Sequence, residues 1–579
     1  MYCISFSQGK QIHTVITEFN ENENLVKKWF DSLNHTTTKV IYYSHNLTFG
    51  GYILLKNLID LDKKLKWLCI DYNIYYIKTI YNGIQIELRC SYKIIPLSPQ
   101  TLANHFLENT KYIFPHKILH IDYVKLKHVQ LDEHMFNTHA EWLEYIQGGG
   151  VTIVQPRTLI QNHCEWNVRL LKNVFTLFCN KFKELGINIK NQIYSASSIS
   201  LKYYFKNYNQ MEKHLPRMIE NYIRPSYVGG RCEVFGNATP NEIILHHDYT
   251  GMYSQCMLEK YPTGKWTIKH PTTIREVGFY SIRFKSNMDI PILPVKIDKL
   301  YFMNGVMSGT YWYEEILLFL ECGGEILQIE YAIIFDGYDN ILTNFVNTLE
   351  KFKSTDKISK QVGKLLINSF YGRLGMGNES SRSIISDLPN HEEYVHFTDD
   401  LVIYKKKIKK DSAKNIAVAS AITSKARIKL YKGYLAVINA GGRLLYSDTD
   451  SIIAAFPKDK NPINSTLGDI KFDGHKNDTE ISKAVFISSK TYSVILKDNT
   501  EITKIKGIRV NDIKHTELET SFFSGGKITF DSQIVFSKKN YTLEIKKISK
   551  TIDLNNYHKR IFSKDKTTTT AKTFNVWHT

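Results

Sequence analysis

The chain has 579 residues and a formal net charge of +18, from 75 Lys and Arg against 57 Asp and Glu. Hydrophobic residues make up 43% and aromatic residues 13%, which excludes a disordered chain and provides for several hydrophobic cores. The positive excess makes a polyanion, either nucleic acid or an anionic membrane surface, the first partner to consider.

Cysteine usage indicates the redox compartment of the protein, and hydropathy tests for membrane-spanning helices. The eight cysteines are scattered, without a CxxC pair or a His/Cys cluster, which favours a reducing compartment over disulfides or a zinc site. No apolar run reaches the roughly 20 residues that a membrane helix needs, so we expect no membrane partner. The longest candidate, Ile316 to Phe335, is interrupted by three glutamates.

The predicted elements indicate an α+β chain with three regions. The first region combines strand-like runs (Lys39–Tyr43, Ile84–Leu88) with a helical stretch at Val168–Leu185. A basic helical passage ends near Arg224, and Gly229-Gly230 forms a plausible hinge before a long central region. The C-terminal region has short strands and turns. Because residues 1–16 already alternate like a strand and resemble no targeting peptide, we expect the true start to lie upstream.

Two carboxylate positions follow apolar, strand-like runs. In Leu444–Ile453, an Asp-Thr-Asp turn at Asp448 and Asp450 joins two apolar strands, and Asp248 follows a third at Ile243–His247. Carboxylates at separate strand ends suit hard divalent cations and two-metal phosphoryl transfer. An ordinary solvated β-turn is the alternative interpretation of the Asp-Thr-Asp segment.

Two histidines precede Asp248 and invite a zinc interpretation. His246 and His247 have no third ligand at a regular spacing, so we expect them to be strand histidines beside a buried carboxylate.

A third segment reads as a helix from Ser354 to Phe370, with Ser354 as its cap and Gly372 as its stop. Four residues at helical spacing share its polar face: Lys360, Lys364, Asn368 and Tyr371. The two lysines would suit a triphosphate, and the amide and the aromatic ring would suit a base. A solvated amphipathic helix is the alternative if the segment stands alone.

Taken together, these segments resemble family B DNA polymerases. Asp248–Ser254 (DYTGMYS) is similar to their motif A, Lys364–Gly372 (KLLINSFYG) to motif B, and Tyr446–Ser451 (YSDTDS) to motif C. Motif A departs from the common pattern, with Gly251 in place of Ser and Ser254 in place of Pro, and neither change removes a metal ligand.

Further motifs resemble those of the protein-primed subfamily, and most closely those of polymerases of linear mitochondrial plasmids and organellar genomes. Tyr227–Gly230 is similar to the YxGG element, Lys490–Tyr492 to the KxY element, and Lys504–Gly507 to the basic block that follows it. Insertions before and after motif B correspond to terminal-protein regions. The second would hold the strands Tyr394–Phe397 and Leu401–Tyr404 and a basic run, 405–410, that would form a solvated hairpin facing DNA.

The resemblance implies a right-hand polymerase with palm, fingers and thumb behind an N-terminal RNase H-like exonuclease-type domain. The expected boundaries are 1–195 for the exonuclease-like domain, 196–285 for the linker and palm start, 286–350 for the first insertion, 351–380 for the fingers, 381–415 for the second insertion, 416–509 for the palm with motif C, and 510–579 for the thumb.

The resemblance also implies roles for individual residues. The expected catalytic residues are Asp248, Asp448 and Asp450, and the metal site, for two Mg²⁺ or alternatively Mn²⁺ ions, consists of Asp248, Tyr249 and Asp450. The expected nucleotide-binding residues are Tyr253, which would exclude a 2′-hydroxyl, Lys360, Lys364, Asn368 and Tyr371. The expected DNA-binding residues are Tyr227, Gly229, Gly230, Thr449, Lys490 and Tyr492.

The N-terminal region departs from its relatives at each nuclease motif. Gly50 stands where the second motif has Asp, and His163 and Asn167 replace Tyr and Asp of the third. The first motif should precede Met1. Without anionic oxygens metal binding should be lost, so we predict an exonuclease fold without proofreading. Asn46 and Phe49 either contact single-stranded DNA or only pack.

The resemblance implies a monomeric DNA polymerase that acts on template, primer and dNTPs, starts from a terminal protein, and resides in the mitochondrion, or alternatively the cytoplasm. The alternative that stays open is a truncated relic that binds DNA without catalysis. A reverse transcriptase would usually carry YxDD at the hairpin, and Asp448-Thr449-Asp450 together with the Tyr227 element argues against it. A membrane-binding role has no anchor in the sequence.

Overall fold

The computed structural model describes residues 2–8, 11–17, 24–33, 38–62, 64–106, 113–119, 121–124, 126–136, 139–189, 194–377, 379–387, 393–398, 400–409, 414–458, 480–507, 513–537, 541, 544–553 and 559–573. Within these ranges, no helix is both long and apolar enough to cross a membrane.

The N-terminal region folds around a mixed sheet, the N-terminal sheet. Its strands are Lys39–Ser44, Ile84–Cys90, Asn73–Tyr81 and Lys66–Ile70, in that spatial order, and the first two are parallel. A separate hairpin comprises Tyr2–Gln8 and Gln11–Thr17, and a small pair comprises Val129–Gln130 and Ile153–Val154. The helices are Leu25–Asp31, Leu47–Leu61, Pro99–Phe106, Ile121–Val124, His139–Gln147 and the long Pro156–Glu184, with 3₁₀ turns at His116–Leu119 and Glu133–Met135.

A hairpin from far along the chain completes the N-terminal sheet. Strands Glu379–Ser386, Val402–Lys409 and Tyr394–His396 extend it to seven strands. The joint lies where the Asp71 amide donates to the Ser381 carbonyl at 3.3 Å and the Arg382 guanidinium donates to the Trp67 carbonyl at 3.1 Å. The predicted hairpin at 394–404 is confirmed, its basic strand reaches Lys409, and residue 410 lies outside the described ranges.

The central sheet has seven antiparallel strands. Their spatial order is Glu501–Lys504, Thr491–Leu496, Glu480–Ser488, Glu242–Asp248, Ser451–Pro457, Arg443–Asp448 and Cys232–Val234. Helix Ile416–Asn439 packs against it and is buried on all sides over its first three turns, because its small and aliphatic side chains permit close approach. Helices Ala196–Asn207 and Arg217–Ile223 and a 3₁₀ turn, Arg224–Ser226, lead into this sheet.

Residues 261–339 contribute a four-stranded sheet. In spatial order its strands are Tyr261–Lys269, Glu325–Asp339, Gly278–Ser286 and Gly305–Trp312. Helix Tyr313–Glu321 directly follows strand Gly305–Trp312 along the chain. A short pair, Pro294–Lys296 and Leu300–Phe302, accompanies it. The boundary expected at 285/286 is therefore wrong, because strand Gly278–Ser286 pairs with strands on the other side of that boundary.

Two antiparallel helices, Thr343–Lys353 and Lys357–Leu374, follow the four-stranded sheet. The second was predicted at Ser354–Phe370 and is shifted by three or more residues at each end. Asp356 caps it by accepting from the Ile358 and Ser359 amides, whereas Ser354 ends the preceding helix. Gly372 lies inside the helix, which ends at Leu374 with Gly375 as its C-cap. The expected boundaries at 350/351 and 380/381 also fall inside elements.

The C-terminal region consists of helix His515–Phe523 and two hairpins, Lys527–Ser537 with Glu544–Asp553 and Arg560–Phe562 with Thr569–Ala571. The boundary expected at 509/510 lies outside the described residues. The threonine-rich end packs against the central sheet, where the Asn237 amide donates to the Thr567 carbonyl at 3.0 Å and the Arg443 guanidinium donates to the same carbonyl at 2.9 Å.

A buried ion pair joins helix Ile416–Asn439 to helix Tyr313–Glu321. Arg427 donates to both carboxylate oxygens of Glu315 at 2.7 and 2.8 Å, and both side chains are less than 5% exposed. Arg427 also donates to the Val228 carbonyl at 2.9 Å. One guanidinium therefore fixes a helix and the loop that leads into the central sheet.

We expect Arg427→Met to lower the free energy of unfolding by about 3–5 kcal/mol, because it leaves the Glu315 carboxylate buried without its partner. Lys353→Met breaks the exposed Lys353–Glu350 pair and should cost less than about 1 kcal/mol. Urea unfolding followed by circular dichroism measures both. Equal effects of the two variants would contradict the assignment of Arg427 as the buried, stabilising partner of Glu315.

Candidate functional site

Three carboxylates meet at one end of the central sheet. In the strand register, Ser451 lies opposite Asp248 on one side and opposite Asp448 on the other. Asp450 belongs to the turn between Asp448 and Ser451. The predicted arrangement at two strand ends is therefore present, and each carboxyl group is partly exposed to solvent.

Main-chain hydrogen bonds fix the turn that carries Asp450. Thr449 adopts a left-handed conformation with φ of 64°, and its amide donates to the Arg231 carbonyl at 2.7 Å. The Asp450 amide donates to the Asp448 carbonyl at 2.7 Å, and the Tyr249 amide donates to the Asp450 carbonyl at 2.9 Å. The last bond joins the turn directly to the strand end after Asp248.

The carboxylates perturb each other electrostatically. Burial raises the pKa of Asp450, and the negative charges of Asp248 and Asp448 raise it further, while Lys364 opposes the increase. A cluster of oxygen donors with excess negative charge fits a hard divalent cation. Within the described ranges, no three His, Cys, Asp or Glu side chains form a preformed metal-ligand group, so the fit rests on donor chemistry and charge.

Tyr249 can offer this site only main-chain atoms. Its side chain is buried, and its hydroxyl donates to the Lys429 carbonyl at 3.0 Å on helix Ile416–Asn439. The neighbouring histidines are consistent with the expected strand role, because burial lowers the pKa of both His246 and His247.

Helix Lys357–Leu374 faces the carboxylates with part of its predicted polar face. The charge of Lys364 acts on Asp450, and Asn368, one turn later, is exposed. The Tyr371 ring stacks on the Tyr253 ring with centroids 4.4 Å apart and planes 3° apart. Lys360 is different, because it lines a surface depression near the helix start together with Glu350 and Asp356.

Lys490 and Tyr492 lie on the other side of the carboxylates. The Lys490 ammonium is 3.2 Å from the Asp448 carboxylate, and its amide donates to the Tyr446 hydroxyl at 3.0 Å. Although partial burial opposes it, the Asp448 charge raises the pKa of Lys490. The Tyr492 ring packs 5.1 Å from the Tyr446 ring, so its role here is at least partly structural.

The loop Tyr227–Gly230 packs between the Asp448–Ser451 turn and helix Lys357–Leu374. A Cβ atom on Gly230 would lie 2.8 Å from Cγ2 of Thr449, and one on Gly375 would lie 2.2 Å from the Tyr227 ring. The two glycines therefore permit contacts that any larger residue would prevent. Gly229 is exposed at the same loop.

Two positioning residues escaped the sequence analysis. Arg231 holds the Asp448–Ser451 turn through its carbonyl, and its buried guanidinium pairs with Glu233 at 2.7 Å and lies 4.2 Å from the Phe302 ring centroid. Arg427 holds the loop through the Val228 carbonyl. The sequence feature that could have indicated both arginines is a charged residue within an otherwise apolar or small-residue segment.

The degenerate nuclease positions converge on one cavity of about 980 Å³ in the N-terminal region. Gly50 comes from helix Leu47–Leu61, and His163 and Asn167 come from helix Pro156–Glu184. Asn167 donates to the His163 carbonyl at 3.0 Å, and Phe114 stacks on the His163 ring at 3.9 Å. None of the described residues that line the cavity is Asp or Glu.

Comparison with known proteins identifies the class. The sequence model of the family "DNA polymerase type B, organellar and viral" matches residues 32–432, and the chain belongs to this family. The family membership decides against a reverse transcriptase.

Individual relatives agree with this class. The chain is 23% identical over 628 residues to a protein named "Probable DNA polymerase" from Podospora anserina, covering 87% of this chain and 50% of the relative. It is 22% identical to the DNA polymerase of Streptococcus phage Cp-1, covering 92% and 89%. The chain spans about half the length of the first three fungal relatives.

The fold resembles that of Phi29 DNA polymerase complexed with primer-template DNA, with a TM-score of 0.65, 16% identity, and coverage of 89% of this chain and 91% of that chain. The predicted right-hand polymerase fold is confirmed.

We expect Asp450→Asn to stabilise the metal-free protein. A carboxyl whose pKa is raised in the folded state binds its proton more tightly when folded, so its ionised form is unfavourable to folding at pH 7 and this cost disappears as pH falls through the raised pKa. The variant removes that charge at every pH.

Thermal melting in EDTA should therefore show a higher midpoint for Asp450→Asn than for wild type at pH 7, with the difference shrinking towards acidic pH. Asp60→Asn, at an exposed helical position, is the matched control. A lower midpoint for Asp450→Asn would contradict the repulsion described above.

Proposed function

We propose that the chain is a DNA-directed DNA polymerase that adds dNTPs to a primer by two-metal nucleotidyl transfer. The observation that supports this most directly is the meeting of Asp248, Asp448 and Asp450 at adjacent strand ends, opposite Lys364. Family membership and the Phi29-like fold agree with it.

Asp248 and Asp450, with the main chain of Tyr249, would hold two Mg²⁺ ions or, alternatively, Mn²⁺, and Asp448 would support them. Bound ions would activate the primer 3′-hydroxyl and neutralise charge on the transferred and leaving phosphates. The residues of the chain then account for orientation. Lys364 binds the triphosphate as a point charge, and the Lys490–Asp448 ion pair keeps an ammonium beside the primer strand.

The Tyr253–Tyr371 stack forms the floor of the nucleotide site in this proposal. Two parallel rings in contact leave little freedom at Tyr253, so its edge would exclude a 2′-hydroxyl. Asn368 lies on the same helix face, one turn before Tyr371, and would contact the nascent base pair. Lys360 lines the depression near the helix start and, in this proposal, adds positive charge to the triphosphate site.

The template strand would pass over the loop Tyr227–Gly230 and the neighbouring Thr449 and Tyr492. Gly229 and Gly230 let the main chain approach the strand closely, since neither carries a side chain. The exposed lysines of strand Val402–Lys409 would add a second, sequence-independent contact to phosphates.

Initiation from a terminal protein, action as a monomer, and replication of a linear plasmid or organellar DNA in the mitochondrion are part of the same proposal. They are supported by the family, whose description is organellar and viral, and by the fungal relatives. The Tyr227–Gly230 and Lys490–Tyr492 elements support the protein-primed subfamily.

The N-terminal region would lack 3′–5′ exonuclease activity. A nuclease of this type needs carboxylates for two metals, and the cavity at Gly50, His163 and Asn167 has none among its described lining residues. Burial and the nearby His116 lower the pKa of His163 to about 4, so its imidazole is neutral at pH 7, and a neutral nitrogen donor does not replace an anionic carboxylate.

We expect Asp450→Asn to lower the rate of primer extension by about 1,000-fold or more, because it removes an anionic metal ligand from the transition state. Extension of a labelled primer–template with dNTPs and Mg²⁺ measures this, and Asp60→Asn should retain wild-type activity. No incorporation by wild type would favour the DNA-binding relic instead.

We expect wild type to leave a 5′-labelled single-stranded DNA intact with Mg²⁺ or Mn²⁺ and no dNTPs. Gel electrophoresis over the duration of the extension assay measures the product lengths. Degradation that requires metal and disappears in a variant of this region, such as His163→Ala, would contradict the loss of proofreading.

A further inference from the structure

The helix that carries Tyr253 is too short to hold its own position. It spans five residues, Met252–Cys256, and follows Gly251, which adopts a left-handed conformation with φ of 61°. A helix of this length is unstable in isolation, so its position depends on bonds to neighbouring elements. The Tyr371 ring fixes the tilt of the Tyr253 ring by stacking, whereas the place of the ring edge along the stack follows the main chain of the helix.

Lys429 ties this helix to the strand end that precedes it. The Lys429 carbonyl accepts from the Tyr249 hydroxyl at 3.0 Å, and the Lys429 ammonium donates to Oε1 of Gln255 at 2.6 Å. The other end of the same amide, Nε2 of Gln255, donates to the Thr250 carbonyl at 2.8 Å. One lysine therefore braces both the turn after the strand and the helix that follows it.

The element that carries this lysine is a rigid support. Helix Ile416–Asn439 is 24 residues long and is buried over its first three turns. A Cβ atom on Gly433 would lie 2.6 Å from the Tyr249 hydroxyl, so the helix and the strand end are in close contact. The Lys425 side chain, only 3% exposed, donates to Glu259 at 3.0 Å. The same helix thus also holds the far end of the segment.

The bond from Lys429 to Gln255 can be removed without breaking the other contacts. It is charge-assisted and partly buried, and such bonds are stronger than neutral ones. Its loss would leave Oε1 of Gln255 at a partly exposed position, where water can replace the ammonium. The Tyr249 hydroxyl binds the main chain of Lys429 and keeps its partner whatever the side chain. A variant would therefore release the helix sideways more than it would destabilise the fold.

We propose that Lys429 is a positioning residue for sugar selectivity, which acts through Gln255 on the helix that carries Tyr253. In the proposed polymerase the Tyr253 edge excludes a 2′-hydroxyl, and a displacement of about 1 Å at that edge would admit the extra oxygen. A lysine that fixes the helix therefore raises the discrimination between dNTPs and rNTPs without touching either. The inference rests on the proposed function, because it names what sets the selectivity of that same site.

The test compares incorporation of one dNTP and of the matching rNTP by the full chain, on a labelled primer–template with Mg²⁺. The ratio of kcat/KM for the two sugars measures the discrimination. We expect Lys429→Met to lower this ratio about tenfold, through a higher kcat/KM for the rNTP, while kcat/KM for the dNTP stays within about threefold of wild type. Lys432→Met, at an exposed position of the same helix, should keep the wild-type ratio.

Further variants separate the bond from a general loss of structure. Lys429→Arg keeps a cationic donor and should retain most of the ratio. Gln255→Met removes the acceptor and should lower the ratio at least as far as Lys429→Met, and combining the two should lower it no further, because both remove the same bond. Gln255→Met also keeps the test decisive if circular dichroism shows that Lys429→Met does not fold.

The outcomes distinguish this inference from the proposed function. Normal dNTP incorporation with an unchanged ratio in Lys429→Met would overturn the selectivity role and leave the polymerase proposal standing. An equal loss of kcat/KM for both sugars, with a lower melting midpoint, would make Lys429 merely structural and would also overturn it. No incorporation of dNTPs by wild type would overturn the proposed function, and the selectivity role with it.

Discussion

Main-chain hydrogen bonds at the Asp448–Ser451 turn hold three carboxylates together against their mutual repulsion. The Thr449 amide donates to the Arg231 carbonyl and the Asp450 carbonyl accepts from the Tyr249 amide, so neighbouring segments fix the turn from both sides, while the Asp450 amide donates to the Asp448 carbonyl within it. The cost of this arrangement is visible in the raised pKa of Asp450. Cations that bind there would relieve the repulsion, so the geometry that opposes folding of the free protein is also what favours metal binding.

Buried charged residues of neighbouring segments hold the Asp448–Ser451 turn and the adjoining loop in place. Arg231, whose carbonyl accepts from the Thr449 amide, is anchored by Glu233 and by the Phe302 ring of the short strand pair Pro294–Lys296 and Leu300–Phe302. Arg427 performs the same task for the loop Tyr227–Gly230. Strand Leu300–Phe302 and helix Tyr313–Glu321, which lie within the range 286–350 expected for the first insertion, thereby help to hold the Asp448–Ser451 turn and the loop Tyr227–Gly230.

The sequence predicted the Asp448–Asp450 turn, the strand before Asp248 and the shared helix face of Lys364 and Asn368 because each depends on local chemistry: apolar strands, turn residues and helical spacing. The stacking of Tyr371 on Tyr253 was not predicted, since it joins two segments distant in sequence. It misplaced helix Lys357–Leu374 because Ser354 and Asp356 can both cap a helix, and only the packing of the two helices decides between them. It also misplaced the boundary at 285/286, because the pairing of Gly278–Ser286 with Glu325–Asp339 joins segments distant in sequence. Lys360 lines a depression near the helix start, and its nucleotide-binding role stays a prediction.

The seven-stranded N-terminal sheet has a consequence for how this chain can evolve. Its strand Lys66–Ile70 is completed by Glu379–Ser386, a segment that lies after motif B, and Leu401, Ile403 and Tyr541 complete the hydrophobic core beneath it. Deleting the N-terminal region would expose a strand edge and an apolar surface on the remaining enzyme. The N-terminal region is thus tied to the rest of the chain by a shared sheet and a shared core, so the fold needs this region whatever chemistry its cavity carries.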